Sequence, residues 1–196
     1  QLASGVIPQI TASIGPSAGG AVYSPAMTDF VIMVDKLGTM FVTGPDVVKT
    51  VLGEEVSFDE LGGAMTHGTK SGVAHFVVKN EYECMDYIKT LLSYIPQNNT
   101  EEPSTVQNDD DPNRLDHNLI NVLPEDSLKP YDMKEIIHSM VDNHNFFEVH
   151  ELFAQNIIVG FARMNGKTTG IVASQPLFLA GALDIDSSNK AARFIR

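Results

Sequence analysis

Gly15-Pro16-Ser17-Ala18-Gly19-Gly20-Ala21-Val22-Tyr23-Ser24-Pro25 is built from residues almost too small to have chemistry of their own, which leaves the backbone as the reagent. The first N–H groups of a helix have no intrahelical partner and lie at the positive end of its macrodipole. They stabilise an oxygen on which negative charge develops, provided nothing bulky blocks its approach. Gly19 and Gly20 remove that obstruction. A glycine-rich turn of this kind also serves tight packing or a phosphate cradle, so the pattern alone leaves three roles open. No Gly-Lys-Ser/Thr ends it and the Gly-x-Gly-x-x-Gly spacing is absent, which puts phosphate binding behind the other two. Ser17 lacks a Gly-x-Ser-x-Gly context and a legible His–Asp pair, so it is no nucleophile candidate.

The turn needs a strand before it and a helix after it. Residues 7–14, rich in β-branched side chains, read as the strand, and Ala21 to Thr28 as a short helix. Further on, apolar runs at Phe30-Val31-Ile32-Met33-Val34 and Met40-Phe41-Val42 alternate with helices, the signature of an α/β layer structure. Gly44-Pro45-Asp46 places a proline in a first helical turn, and Ser57-Phe58-Asp59-Glu60 is a capping box. Asn80 with Glu83 opens an amphipathic helix with Cys84, Ile88, Leu91, Leu92 and Ile95 on one face. This first domain spans residues 1–96. Residues 97–131, centred on Asp109-Asp110-Asp111-Pro112, read as an acidic, solvated linker in preference to a divalent-metal site. A second domain opens at 132: Asp132 caps a helix with Ile136, Ile137, Met140 and Val141 on its apolar face. Asn165-Gly166 then joins two strands as a hairpin. The chain stops on a helix begun at Asn189, and a lone hairpin with two helices buries too little for an independent core. Gln1 reads as the end of a helix, so the chain is expected to be an internal piece of a longer polypeptide.

Other side chains are weighed against plainer roles. His67 and His75 could orient a substrate, although a surface or satisfied loop histidine is the commoner fate. His138, His144 and His150 recur every six residues, which matches no helical metal face, so no metal is expected. Tyr23 lines a pocket or packs a core; Thr43-Gly44-Pro45 approaches a ligand or simply starts a helix. Arg193 and Arg196 are expected to serve packing.

Of 196 residues, 43% are hydrophobic, enough for one sizeable core or two small ones. Thirteen basic and twenty-five acidic residues give a net charge of −12, which opposes nucleic acid or an anionic membrane as partner. Phosphates of any ligand must then be held by local basic groups or helix ends. Cys84 is the only cysteine, which rules out a disulfide within the chain and suggests a reducing compartment. No apolar run is long enough to span a bilayer as a helix.

Ser4-Gly5-Val6-Ile7-Pro8-Gln9-Ile10 running into the Gly15–Ala26 stretch resembles the carboxyltransferase (β) subunit of biotin-dependent acyl-CoA carboxylases, the propionyl-CoA carboxylase group. Matching stretches follow in the same order: Phe41-Val42-Thr43-Gly44-Pro45-Asp46, Glu60-Leu61-Gly62-Gly63-Ala64, Ser71-Gly72-Val73-Ala74-His75, Asn156-Ile157-Ile158-Val159-Gly160 and Lys190-Ala191-Ala192-Arg193-Phe194-Ile195-Arg196. Ser174-Gln175-Pro176 and Asp111-Pro112-Asn113-Arg114 depart from the usual Asn-Gln-Pro and Asp-Pro-x-Asp-Arg, which touches the domain junction and not the glycine turn.

The resemblance implies two fused crotonase-like ββα-spiral domains, the first presenting acyl-CoA and the second the biotin of a carrier. Residues 1–96 would be the later part of the first, and residues 132–196 the truncated start of the second. It implies transfer of CO2 between carboxybiotin and a short-chain acyl-CoA, most plainly propionyl-CoA, through a thioester enolate held by the backbone of Gly19 and Gly20. Gly15, Pro16, Ser17, Ala18, Ala21, Tyr23, Thr43 and Gly44 would lie around the CoA thioester. Implied partners are a biotin carboxylase with its biotin carboxyl carrier and further copies of the chain, with active sites completed across subunit interfaces. The implied location is the bacterial cytoplasm, or the mitochondrial matrix in a eukaryote. A second, biotin-side oxyanion turn would lie beyond Arg196, so this piece alone is expected to be inactive. The carboxyltransferase subunit of a sodium-pumping decarboxylase acting on methylmalonyl-CoA or glutaconyl-CoA is the alternative, and a non-catalytic CoA-binding scaffold a second one.

Overall fold

The computed structural model describes residues 2–126 and 129–196. The expectation that Gln1 closes a helix, and residues 127 and 128 of the expected linker, lie outside the described residues. The chain divides into two compact units, residues 1–101 and 102–196.

In the first unit the chain repeats strand, strand, helix. β1 (Ile10–Ser13) and β2 (Pro16–Ala18) lead into a 3-10 turn, Gly19–Val22, and α1 (Tyr23–Ala26). β3 (Phe30–Val34) and β4 (Thr39–Phe41) lead into α2 (Pro45–Leu52), α3 (Phe58–Gly62) and α4 (Ala64–Thr66). A π turn, His67–Ser71, precedes β5 (Phe76–Val78) and α5 (Glu81–Tyr94). The strands that open the repeats form one parallel sheet, β1-β3-β5, and the second strands form another, the parallel pair β2-β4. β3 lies in the middle, which explains its unbroken apolar run: Val31, Ile32, Met33 and Val34 are all fully buried, as a central parallel strand covered on both faces requires.

Most helix signals stand where the sequence puts them. Gly44 caps α2 with Pro45 at its first position, Ser57 and Glu60 form the capping box of α3, and Asn80 accepts from the Glu83 amide. On α5 the inner face is Cys84, Leu91 and Tyr94; Leu92, expected inside, is exposed because helical rotation gives that side of the last turn to Tyr94. Burial pushes the Cys84 thiol up from its ordinary pKa.

In the second unit a 3-10 turn, His117–Asn121, and α6 (Met133–Met140) precede the antiparallel sheet β6 (Phe146–Val149), β7 (Ile157–Met164) and β8 (Lys167–Ser174), closed by α7 (Ile185–Ile195). The hairpin pairs Met164 with Lys167 across Asn165 and Gly166, both at positive φ, as a type I′ turn demands. Three expectations are corrected. The hairpin gains a third strand, β6. Met140 is exposed, while Ile137 and Val141 pack with Ile158 and Ala162. α7 starts at Ile185, four residues before Asn189, because Asp184 and Ser187 form a capping box.

The acidic stretch is fastened to this unit. The Val106 N–H donates to Gly166 O at 2.9 Å. The Asp142 carboxylate accepts from Asn108 Nδ2 at 2.8 Å and from the Asn165 and Gly166 amides at 2.9 and 2.7 Å. Asp110 accepts from Arg114 Nε at 2.8 Å, and the Asn143 amide with that guanidinium holds its carboxyl below the usual range.

Candidate functional site

The glycine turn sits where the two second strands meet. β2 and β4 pair in register, Ser17 with Met40 and Ala18 with Phe41, so β4 fixes how the chain leaves Ala18. Ala18 is extended; Gly19 takes φ +62°, a left-handed conformation that L side chains adopt only under strain, and swings the chain into the 3-10 turn. The Tyr23 amide closes that turn on Gly20 O, and Val22, buried with Val31, Met33, Met40, Ala64 and Ala74, pins it to the core.

The helical stretch therefore starts at Gly19, two residues earlier than the sequence suggests, with a 3-10 first half. Gly19 and Gly20 are its first two residues and not a joint ahead of it, so their amides belong to the set that has no acceptor inside the helix. The space at their Cβ positions is open. A Cβ on Gly20 would meet nothing within 4 Å, and one on Gly19 only Val42 O at 4.0 Å.

Beside the turn lies a cavity of about 280 Å³, walled by Val22 and Ala26, by Met40 to Thr43, and by Leu61, His67 and Val73. Its wall is mostly apolar, with Thr43 and His67 as its polar members. Of the other residues singled out in the sequence, Gly15 accepts the Thr39 amide at 3.4 Å, Pro16 opens β2, and Ser17 is half-buried in the ladder. Ala21 is exposed, and Tyr23 is 56% exposed, so it does not pack the core of this chain. Thr43 lines the cavity and Gly44 caps α2, so the stretch starts a helix as one of its two expected roles requires.

The sequence missed β2 as a strand, because Pro16 between Gly15 and Gly19 carries no strand signal of its own. It also gave no sign that residues 67–71 form a π turn that brings His67 to the cavity. His67 Nε2 lies 2.6 Å from Met40 O and Nδ1 2.8 Å from Ser71 Oγ. His75 is buried and structural: its Nδ1 accepts the Val31 amide at 3.0 Å and its ring tilts onto Phe30. His138 and His144 each bond the other's carbonyl oxygen through Nδ1 at 2.8 Å, which closes the turn after α6. Among the described residues no group of His, Cys, Asp and Glu could hold a metal ion, and no helix is long and apolar enough to cross a membrane.

A larger cavity, about 600 Å³, lies in the second unit, and several of its polar groups are already bonded: Arg114 to Asp110 and Val141 O, and Asp116 to Ser139.

The sequence profile of the carboxyl transferase domain matches residues 1–196. The chain belongs to the carboxyl transferase family. It is 56% identical over 99% of its length to the carboxyltransferase subunit of propionyl-CoA carboxylase from Haloferax mediterranei. It is 53% identical, again over 99%, to methylmalonyl-CoA decarboxylase subunit alpha from Veillonella parvula. Among solved structures it superposes on transcarboxylase 12S, a hexamer seen with hydrolysed methylmalonyl-CoA bound, with a TM-score of 0.94, 48% identity and 98% of the chain covered. The chain spans 38% of the length of each of these three proteins. The repeating strand-strand-helix course of the first unit is thus the crotonase-like α/β fold of carboxyl transferases.

Proposed function

We propose that this chain is the part of a biotin-dependent carboxyltransferase that holds the acyl-CoA thioester while CO2 passes between biotin and the acyl α-carbon, propionyl-CoA to methylmalonyl-CoA being the expected pair. The observation that carries it is the Gly19–Gly20 turn, which opens a helical stretch whose Val22 walls an apolar cavity and which has nothing within 4 Å of a Cβ on Gly20.

When the α-proton leaves, the electron pair moves into the C–C bond and negative charge develops on the thioester oxygen. The Gly19 and Gly20 N–H groups receive that charge. They are fixed before the reaction by the β2-β4 ladder and the buried Val22, so little reorganisation is needed. The cavity wall from Val22 to Val73 shields the short acyl chain from water, and Thr43 stands at its polar side. Biotin on its carrier would supply the CO2, which bonds to the α-carbon as the enolate collapses, and a nitrogen base for the α-proton. The turn therefore needs no acid, base or nucleophile of its own. A biotin carboxylase with its carrier, and further copies of the chain, are the expected partners.

The decarboxylase relative favours a second reading, because at 53% identity it is nearly as similar as the carboxylase at 56%. In that reading the same turn serves transfer from methylmalonyl-CoA toward biotin, with membrane-spanning partners in place of a biotin carboxylase.

The test is release of CO2 from methylmalonyl-CoA by the natural polypeptide that carries this chain, with and without free biotin and without partner subunits. Biotin-dependent release is expected. CoA binding without release from any acyl-CoA would leave a scaffold instead. In the same assay Cys84→Ala keeps full turnover, since Cys84 does not line the cavity, and loses about 1 kcal/mol of stability for its buried sulfur. Inactivity of a folded Cys84→Ala protein would place that thiol in the chemistry.

A further inference from the structure

His67 has two partners, one on each ring nitrogen, and both are at hydrogen-bond distance. Met40 O is a carbonyl oxygen and can only accept, so Nε2 carries the proton and donates to it. Nδ1 then accepts from Ser71 Oγ, whose hydroxyl holds the ring from the other side. Ser71 itself is exposed and lies at the end of the π turn, whose extra residue per turn brings both side chains into line.

The Met40 carbonyl is a crowded place. A Cβ on Gly62 would stand 2.2 Å from Met40 O, so only glycine lets α3 come this close. Next to it, Thr39 bridges to Gly63. On the other side of β4, Met40 is the register partner of Ser17, two residues before Gly19. β4 is a short strand of three residues and β2 is another, so the pair has little ladder to hold it. The imidazole supplies the missing anchor from outside the pair, and its ring also walls the cavity beside the turn.

We infer that His67 is a positioning residue for carboxyl transfer: its Nε2–H ties the Met40 carbonyl, and through the β4-β2 register sets where the Gly19 and Gly20 amides point. The inference rests on the proposed role of that turn. A displacement of well under an ångström at oxyanion donors costs transition-state stabilisation and leaves ground-state binding nearly untouched. The effect belongs in kcat and not in KM.

The experiment uses the natural polypeptide and biotin-dependent decarboxylation of methylmalonyl-CoA, with His67→Ala, His67→Gln and Ser71→Ala, kcat and KM separated, and melting temperature measured for each. A glutamine amide can donate to Met40 O and accept from Ser71 in place of the ring. Expected are a kcat lowered about 10-fold or more in His67→Ala with KM within about 2-fold, recovery to within about 3-fold of wild type in His67→Gln, and a smaller kcat loss in Ser71→Ala. A folded His67→Ala protein with wild-type kcat overturns the inference. So does a His67→Gln protein as slow as His67→Ala, which would put the ring on the substrate. If His67→Ala does not fold, the other two decide: wild-type kcat in Ser71→Ala overturns the inference, and a lowered kcat beside a near-normal His67→Gln supports it. Failure of the underlying reading looks different, because then the wild-type polypeptide itself shows no biotin-dependent release.

Discussion

Gly20→Val in the natural polypeptide loses carboxyl transfer by about 10²–10³-fold while the protein still folds. The two halves of that expectation come from different observations. The fold survives because Gly20 has no positive φ and a Cβ there meets nothing within 4 Å, so a valine side chain finds room. The activity is lost because, on the proposed oxyanion role, a branched side chain at this position crowds the oxygen that the Gly19 and Gly20 amides receive. Gly19→Val makes the contrast. Its φ of +62° strains any β-branched residue, so loss of activity there mixes backbone distortion with blocking. Measurement of kcat for methylmalonyl-CoA decarboxylation beside the melting temperature separates the two. Normal turnover in Gly20→Val would remove the oxyanion role from this turn, whatever chemistry the family performs.

What the sequence discloses of this architecture depends on whether a feature is local. Capping boxes and turn dipeptides are local, and Ser57 with Glu60, Pro45 after Gly44, and Asn165-Gly166 all stand where their residue types put them. β3 is legible for another reason: a strand buried on both faces must be apolar throughout. β2 is the opposite case. Pro16-Ser17-Ala18 is a strand only because β4 runs beside it, and no propensity of its own announces that. The glycine turn was legible as a turn, but the contact His67 makes with the neighbouring strand was not. His67 is 27 residues from Met40 in sequence, and the π turn that presents it has no residue signature. The same holds for the acidic stretch: its charge reads as solvated linker, whereas Asn108, Asp110 and Arg114 use that polarity to bind backbone and side chains of the second unit.

Between pH 8 and 10.5 the second unit gains stability, and Lys190 is the reason. Lys190 stands on α7, only 2% exposed, with Nζ donating to Phe153 O at 2.7 Å and to Ala154 O at 3.3 Å. Burial pushes its pKa down to about 8, against the attraction of Glu148. A lysine whose folded pKa lies below its unfolded value holds fewer protons folded than unfolded throughout that interval, so stability rises with pH across it. A shift of this size corresponds to about 3 kcal/mol, all of it a cost borne below pH 8 and relieved by pH 10.5. Two titratable groups face it: Glu148, raised by its own burial against the pull of Lys134, and Lys134, raised above its ordinary value by its pairs with Glu148 and with Glu151 at 3.2 Å. Other lysines and tyrosines of the polypeptide also ionise in that interval, so the comparison must be internal. Lys190→Met keeps the volume, leaves the Phe153 and Ala154 carbonyls without that donor, and removes the titration. Urea unfolding of both proteins at pH 7.5 and 10.5 should show the wild type gaining about 3 kcal/mol on the variant. Parallel pH curves would mean that the buried ammonium is fully compensated by its carbonyl acceptors and Glu148, and that its burial carries no electrostatic cost.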